Sequence, residues 1–300
     1  MKRRTFLGLD LASHSFRAVS LQRQGREHEL MGARVLAPTA EVIRFSSREV
    51  NILDRFRFVS QLREILTPLA FQEERLSLSL PDNVGRTLLV EVETAFKTRK
   101  EGVEILKWQL KNSLPGEPSE TRIDYQLLGQ TDAGKQRVLV AAIRSDILKE
   151  YEDAIEEAGF GATQIDFHAF SLYNYYRHRF NIDDTFILVS IDGAAFSVHF
   201  NISGQPVYFR SKIINREVES VFQELSRTLV PMTTSFPAVK KASVFMHADW
   251  EESSDLQEAL QGCFGKEIQV LDLYRLPSDR VDHVQPQLLA AAIGAAERLM

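Results

Sequence analysis

The chain has 300 residues, of which 44% are hydrophobic and 26% charged, with a formal net charge of −5. This composition is typical of a globular protein with room for two domains of ordinary size. The net negative charge argues against a nucleic-acid binder, because such proteins usually carry a basic face. A single cysteine, Cys263, excludes an internal disulfide framework and fits a reducing compartment.

The N-terminus lacks the features of a secretory signal. The apolar run at residues 6–9 is interrupted at once by Asp10, so the hydrophobic region that a signal peptide needs is missing. No run of about 18 apolar residues occurs anywhere in the chain, so we expect no transmembrane helix. The expected location is therefore the cytoplasm.

The first half of the chain begins with three predicted strands, followed by a helix and a fourth strand. Their expected ranges are 6–12, 15–22, 30–36, 52–70 and 76–80. A small α+β unit follows, which consists of a strand, a helix and two further strands. Its expected ranges are 88–90, 97–114, 123–128 and 137–143. A helix, a strand and a helix complete this half, at 146–158, 162–166 and 170–180.

The second half repeats the opening pattern. Strands are expected at 186–191, 196–202 and 207–213, with a turn at Gly204 between the second and the third. Strand, polar turn, strand, glycine turn and strand thus occur twice, about half a chain apart, which predicts a duplicated fold. The remaining elements alternate between helix and strand, at 216–229, 242–246, 254–263, 267–271 and 286–299.

The turns of the two repeated hairpins are candidate phosphate sites. Small and hydroxyl residues in such a turn expose backbone N–H groups that can hold phosphate oxygens. Two hairpins that face each other across a cleft can hold a triphosphate, with an Asp at each strand end for a metal or a water. The candidate residues are Asp10, Ser13, His14, Ser15, Arg17, Ser190, Asp192 and Gly193. Taken alone, the first turn is explained equally well as a strand that ends at a polar turn.

The order of motifs along the chain resembles the FtsA/PilM branch of the actin-like ATPase superfamily. The opening is similar to that family's first phosphate hairpin, and residues 76–81 are similar to the strand that closes the first part of its lobe. Residues 107–115 and 123–129 resemble the 1C subdomain of PilM, and residues 290–294 resemble the family's last helix. The resemblance implies an α/β, actin-like fold, which is a duplicated RNase H-like arrangement with two lobes.

The same resemblance implies three structural parts. The core of the first lobe, subdomain 1A, is expected in residues 1–85 together with about 145–182, and the 1C subdomain in 86–144. The second lobe, subdomain 2A, is expected in 183–300. Only residues 215–217 separate a predicted strand from the next predicted helix, at the point where the family inserts its helical 2B subdomain. We therefore expect 2B to be reduced or missing.

The second phosphate hairpin departs from the family pattern of Asp, an apolar residue and Gly. Counted back from Gly204, Ser190 stands at the position of this Asp and Asp192 at that of this Gly. In this register a metal-organising carboxylate is missing, and Asp192 repels a phosphate. In the alternative register Asp192 is the retained Asp, which requires a shift of the strand. The glycines that let the family's backbone approach the nucleotide base are absent as well, because residues 247–250 are His-Ala-Asp-Trp.

These departures predict a degenerate nucleotide site and a pseudo-ATPase. No catalytic residue is assigned, and Asp10 is the one candidate for a metal ligand. No cofactor is expected. ATP and Mg²⁺ are the expected ligands if the site is functional.

Other candidate residues have simpler interpretations. His14 is expected to be an exposed turn residue, and Arg17 is explained as well by a solvated strand position as by a phosphate contact. His168 and His178 lie near Asp166 without a zinc-ligand spacing, which favours surface or helix-face histidines. A group of arginines in the first lobe is expected to form a solvated face, with binding of anionic lipid headgroups as the minority alternative. It consists of Arg44, Arg48, Arg55, Arg57 and Arg63.

The expected function follows from the resemblance. A PilM-like protein is a cytoplasmic scaffold of a type IV pilus or related secretion machine, peripheral at the inner membrane. The resemblance implies that it binds the cytoplasmic N-terminal peptide of an inner-membrane partner, PilN, in a groove between the first lobe and the 1C subdomain. Two alternatives are an active actin-like ATPase or small-molecule kinase, and a filament-forming protein in the manner of FtsA.

Overall fold

A computed structural model describes residues 4–12, 14–25, 27–131, 133–177, 185–271 and 285–300. The chain begins with an antiparallel meander of β1 (Thr5–Leu11), β2 (Phe16–Gln24) and β3 (Glu27–Leu36). Helix α1 (Arg55–Leu66) follows, and the chain then returns as β4 (Arg75–Leu80). Because β4 pairs in parallel with β1, the carboxyl ends of these two strands lie at the same edge of the sheet.

A second unit is inserted after β4. Strands β5 (Arg86–Val92), β6 (Thr121–Gln130) and β7 (Gln136–Arg144) form an antiparallel sheet in the order β5-β7-β6. Helix α2 (Arg99–Gln109) covers this sheet, and its Leu106 is buried in an apolar core that belongs to this unit. The strand order leaves β6 at an edge of the sheet.

The chain then returns to the first sheet through α3 (Ser145–Glu157) and β8 (Gly161–Phe167), which runs directly into α4 (His168–Arg177). Strand β8 pairs in parallel with β4, which completes the order β3-β2-β1-β4-β8. Alternate residues of β1 contact different helices, because successive side chains of a strand point to opposite faces. Leu7 shares a core with α1 and α3, whereas Phe6 shares one with α4.

The second half of the chain repeats this topology. Its elements are β9 (Phe186–Asp192), β10 (Ala195–Ile202), β11 (Gln205–Ile213), α5 (Val218–Ser235), β12 (Ser243–Ala248), α6 (Ser253–Phe264), β13 (Gln269–Val270) and α7 (Ala290–Glu297). The strand order β11-β10-β9-β12-β13 matches that of the first sheet position by position. The predicted duplication is confirmed. Residues 214–217 are all that joins β11 to α5, so the 2B subdomain is absent, as expected.

Helices α4 and α7 lie between the two sheets. They belong to an apolar cluster that includes Phe6 on β1, Phe186 on β9 and Phe245 on β12, and this cluster joins the two lobes. Two glycines allow helix α7 to lie close to α4 and to β1. A Cβ atom on Gly294 of α7 would lie 1.9 Å from the carbonyl oxygen of Ser171 on α4, and one on Gly8 of β1 would also overlap α7.

The predicted elements all occur, but several boundaries differ. The helix expected at 97–114 ends at Gln109, and the last helix begins at Ala290 after a 3₁₀ turn. The end expected at Leu229 for α5 is wrong, because this helix continues through Pro231 to Ser235. A proline near a helix end removes one backbone donor but does not have to stop the helix. The predicted helix 170–180 is described only as far as Arg177.

The three sheets occupy the segments predicted for 1A, 1C and 2A, while the exact boundaries 1–85 with 145–182, 86–144 and 183–300 stay predictions. No helix in the described residues is both long and apolar enough to cross a membrane.

Candidate functional site: a buried charge cluster and an adjacent groove

A cluster of buried charged side chains lies between the two lobes. The first lobe contributes one residue each from β1, β2 and α4, and the second lobe contributes the end of β9 and the residue that follows β12. The exposed fraction is 0% for Asp10 and 2% for Arg17, so solvent barely reaches either charge. We call these side chains the interlobe cluster, and its members are Asp10, Arg17, His168, Asp192 and Asp249.

The guanidinium of Arg17 is the centre of the interlobe cluster. Its Nη1 donates a hydrogen bond to Oδ2 of Asp192 at 2.7 Å and lies 3.6 Å from Oδ2 of Asp10. Its Nη2 lies 3.6 Å from Oδ2 of Asp249, and its Nε donates to the hydroxyl of Ser15 at 2.9 Å. The antiparallel register of β1 and β2 pairs Arg17 with Asp10, which places these two side chains beside each other. One buried cation therefore contacts three carboxylates from both lobes.

His168, the first residue of α4, is the second cation of the cluster. Its Nδ1 lies 2.9 Å from Oδ1 of Asp10, and its Nε2 lies 3.4 Å from Oδ2 of Asp192. Burial lowers the pKa of this imidazole, but the two neighbouring carboxylates outweigh burial and raise the pKa well above its usual value. The hydroxyl of Ser79 on β4 also donates to Asp10. The two carboxylates therefore favour the protonated form of the His168 imidazole.

The carboxylate of Asp192 is held in its charged form. Burial raises the pKa of Asp192, but the guanidinium of Arg17 and the imidazolium of His168 outweigh burial, so the pKa lies well below its usual value. Burial raises the pKa of Asp249, and the nearby charge of Asp192 raises it further.

Asp249 accepts a hydrogen bond from the backbone of the second hairpin turn. Gly193 and Ala194 form the two-residue turn between β9 and β10, and Gly193 has a φ of 56°, which glycine adopts readily. The N–H of Gly193 donates to Oδ1 of Asp249 at 2.8 Å, and the indole of Trp250 donates to the Gly193 carbonyl at 2.8 Å. The donor that could hold a phosphate oxygen at this turn is therefore bonded to a carboxylate of the chain itself.

Large side chains are buried at the end of β12 and just after it, in the segment where the sequence lacks the family's glycines. His247 is fully buried and its Nδ1 lies 2.8 Å from the hydroxyl oxygen of Tyr176, while its Nε2 lies 3.7 Å from Oδ2 of Asp192. Trp250 is 4% exposed. Among the described residues, no group of three or more His, Cys, Asp or Glu side chains has a geometry that could hold a metal ion.

The structure brings some of the predicted site residues together and separates others. Asp10, Arg17 and Asp192 meet in the cluster, Ser15 contacts Arg17, and Gly193 contacts Asp249. Two further predicted residues stay outside these contacts, because His14 is exposed and the buried hydroxyl of Ser190 makes no hydrogen bond within the described residues. The predicted residue Ser13 lies outside the described residues.

For two residues, one of the expected alternatives is wrong. Arg17 is not a solvated strand residue, because it is buried against three carboxylates. His168 is not a surface histidine, because β8 runs directly into α4 and places the first residue of that helix beside Asp10. The parallel strands β1, β4 and β8 all end at the same edge of the sheet, and this was the signal that could have identified His168. The other histidine of that expectation, His178, lies outside the described residues.

A groove of about 770 Å³ lies beside the first lobe, between β6 of the inserted sheet and β8 of the first sheet. Both strands are at edges of their sheets, so each has one side without a neighbouring strand in the part of the chain that the structure describes. The apolar side chains that line the groove include Ile123 of β6, Ile165 of β8 and Phe170 of α4. Charged side chains of both signs surround them, and these are Arg99, Arg122, Asp124, Glu152, Asp166, Arg177 and Arg298.

Known structures share this architecture over the full chain. A PilM–PilN type IV pilus biogenesis complex contains a chain that superposes with a TM-score of 0.80 at 15% identity, covering 99% of this chain and 98% of that one. The cytoplasmic domain of EpsL, an inner membrane component of the Vibrio cholerae type II secretion system, gives a TM-score of 0.53 at 10% identity, with 98% and 95% covered. A Bacteroides thetaiotaomicron protein of actin-like ATPase fold gives 0.54 at 10% identity, with 96% of each chain covered.

No protein-family model matches the sequence. The duplicated sheets, the inserted β5-β7-β6 unit and the similarity to these structures confirm the fold that the order of motifs predicted. The chain has the two-lobed actin-like ATPase fold.

Proposed function

We propose that this chain is a PilM-like cytoplasmic scaffold of a type IV pilus or a related secretion assembly. In this proposal it binds the cytoplasmic N-terminal tail of a PilN-like inner-membrane protein, which places it peripherally at that membrane. The observation that carries the proposal is the groove between β6 and β8, in a chain that superposes over 99% of its length on a component of a PilM–PilN complex. The similarity to the cytoplasmic domain of EpsL, an inner membrane component of a secretion system, supports the same location beside the inner membrane.

The groove is suited to an extended peptide. An edge strand offers unpaired backbone N–H and C=O groups, and a peptide can add to it as a further strand. Here two edge strands line one groove, and their alternate side chains give it apolar positions such as Ile123 and Ile165. The main chain of a peptide would supply the affinity, and the mixed charges at the rim would select its sequence.

The direct test is a calorimetric titration of the full chain with a synthetic peptide. The peptide is the cytoplasmic N-terminal segment of a single-span membrane protein that is encoded beside this chain. We expect saturable binding, and we expect Thr163→Trp to abolish it, because Thr163 is exposed on β8 and lines the groove. Thr234→Trp is the matched control, since Thr234 is an exposed threonine on α5, outside the groove. Equal affinity of the Thr163→Trp and wild-type chains would contradict the proposal.

An active ATPase or kinase is the competing function, because the fold and the retained Asp10 at the cleft belong to that class. The residues present do not fit a magnesium nucleotide. The carboxylates of Asp10 and Asp192 contact Arg17 and His168, and the Gly193 N–H is bonded to Asp249. The two cations in this space are already paired with carboxylates of the chain, and these three carboxylates would repel a phosphate. We therefore propose that the nucleotide site is degenerate and that the scaffold works without ATP.

A further inference from the structure

We propose that Arg17 is a built-in cation that holds the two lobes in one relative position. The proposal rests on the positions of three carboxylates around this one guanidinium. Asp10 belongs to the first lobe, whereas Asp192 and Asp249 belong to the second. Arg17 itself is on β2 of the first lobe, so its contacts to Asp192 and Asp249 cross from one lobe to the other.

The observed position of the lobes needs positive charge at this point. Arg17 supplies it to all three carboxylates, whereas His168 contacts only Asp10 and Asp192. The three carboxylates converge on one buried position, and like charges repel strongly where water is excluded. Arg17 can face all three because its guanidinium has five N–H donors in a fixed planar array. Nη1 faces Asp192 and Asp10, and Nη2 faces Asp249. Salt in the solvent screens such a buried group much less than it screens a surface pair.

The apolar contacts between the lobes lie elsewhere. They run along α4 and α7, where Phe6, Phe186 and Phe245 share one core. The interlobe cluster instead lies at the carboxyl ends of β1 and β9, beside the hairpin turns. The apolar core therefore keeps the lobes attached, and the cluster sets the angle between them. Loss of the cation should change this angle while both lobes stay folded.

The test measures the distance between the lobes in the full chain. Spin labels are attached at Ser60→Cys on α1 and Glu258→Cys on α6, both exposed positions, in a Cys263→Ser background. Double electron–electron resonance then gives the distribution of distances between the labels. We expect one narrow distribution for the labelled chain, and a shift to longer and broader distances when Arg17→Ala is added.

Two further variants serve as a control and as a replacement for Arg17→Ala. Arg75→Ala is the control, because Arg75 pairs with Glu73 within the first lobe, at the surface, and its loss should leave the distances unchanged. If Arg17→Ala does not fold, the double variant Arg17→Met with Asp192→Asn replaces it, since it removes the cation and one of its anions together. The proposal is overturned if the Arg17→Ala chain folds and keeps the distance distribution of the labelled chain that retains Arg17. The same result for a folded double variant overturns it where Arg17→Ala does not fold.

Discussion

At the scale of single residues, the cleft shows how a buried charge is tolerated. Each carboxylate of the interlobe cluster has a positively charged or hydrogen-bonding neighbour within the chain, as with Asp10 beside His168 and Asp249 beside the Gly193 N–H. Burying an unpaired charge is costly, whereas a paired and hydrogen-bonded charge can be retained. The same carboxylates and the Gly193 N–H would have to leave these contacts before a cation or a phosphate could bind to them.

His168 should make the stability of the fold depend on pH. Its pKa is raised in the folded chain, so the folded state binds this proton more tightly than the unfolded state. The stabilisation is complete below the unfolded value of about 6.5 and is lost as the pH rises through the raised folded value. We expect the free energy of unfolding, measured with urea from pH 6 to pH 9, to fall with pH in the wild type and to fall less in His168→Gln.

The control for this experiment is His14→Gln, because His14 is exposed in the first hairpin turn. It should keep the pH profile of the wild type. A wild-type profile that coincides with that of His168→Gln over the whole range would mean that the imidazolium contributes nothing to the folded state.

At the scale of elements, the contact between α4 and α7 depends on the absence of a side chain at Gly294. A Cβ atom there would come within 1.9 Å of the Ser171 carbonyl oxygen, far inside van der Waals contact. We expect Gly294→Ala to lower the free energy of unfolding by about 1–3 kcal/mol or more, since overpacking forces backbone shifts. Thermal and urea unfolding measure the change.

Gly262→Ala is the matched control for Gly294→Ala. Gly262 is an exposed residue of helix α6, and a Cβ atom on it meets nothing within 4 Å. Alanine should stabilise this helix by about 0.5–1 kcal/mol through its higher helix propensity. If both substitutions stabilise the chain, the close approach of α4 and α7 is not as the structure describes it.

The elements and their order could be predicted from the sequence because the apolar periodicity is local. The repeat of strand, polar turn, strand, glycine turn and strand predicted the duplication, and the short segment at 215–217 predicted the loss of 2B. The continuation of α5 through Pro231 could not be predicted, because tertiary contacts overrode the local signal of the proline.

The candidate site was predicted only in part, for a different physical reason. The residues of the two hairpin turns carry a local pattern, so Asp10, Arg17 and Asp192 could be identified. His168 and Asp249 join them only through the pairing of β8 and β12 with distant strands, which brings the ends of these strands to the cleft. His168 is 158 residues from its partner Asp10, so no spacing in the sequence shows such a contact, and only the common edge of the parallel strands indicates it.

At the scale of the whole molecule, the cleft between the lobes and the groove beside the first lobe differ in chemistry. The cleft is filled by charged side chains of the chain itself, whereas the groove is lined by two strands that are sheet edges among the described residues. An actin-like fold of this kind is suited to hold a partner's peptide at one place while its two lobes stay fixed. We therefore propose a binding function for the groove and a structural function for the cleft.

Calorimetric titration of the wild-type chain with Mg-ATP tests this assignment most directly. We predict no saturable heat of binding, because Asp192 is paired with Arg17 and the Gly193 N–H is bonded to Asp249. Micromolar affinity that disappears in Asp10→Ala would contradict the prediction, since it would mean that the cleft holds a nucleotide through the carboxylate that the cluster keeps paired.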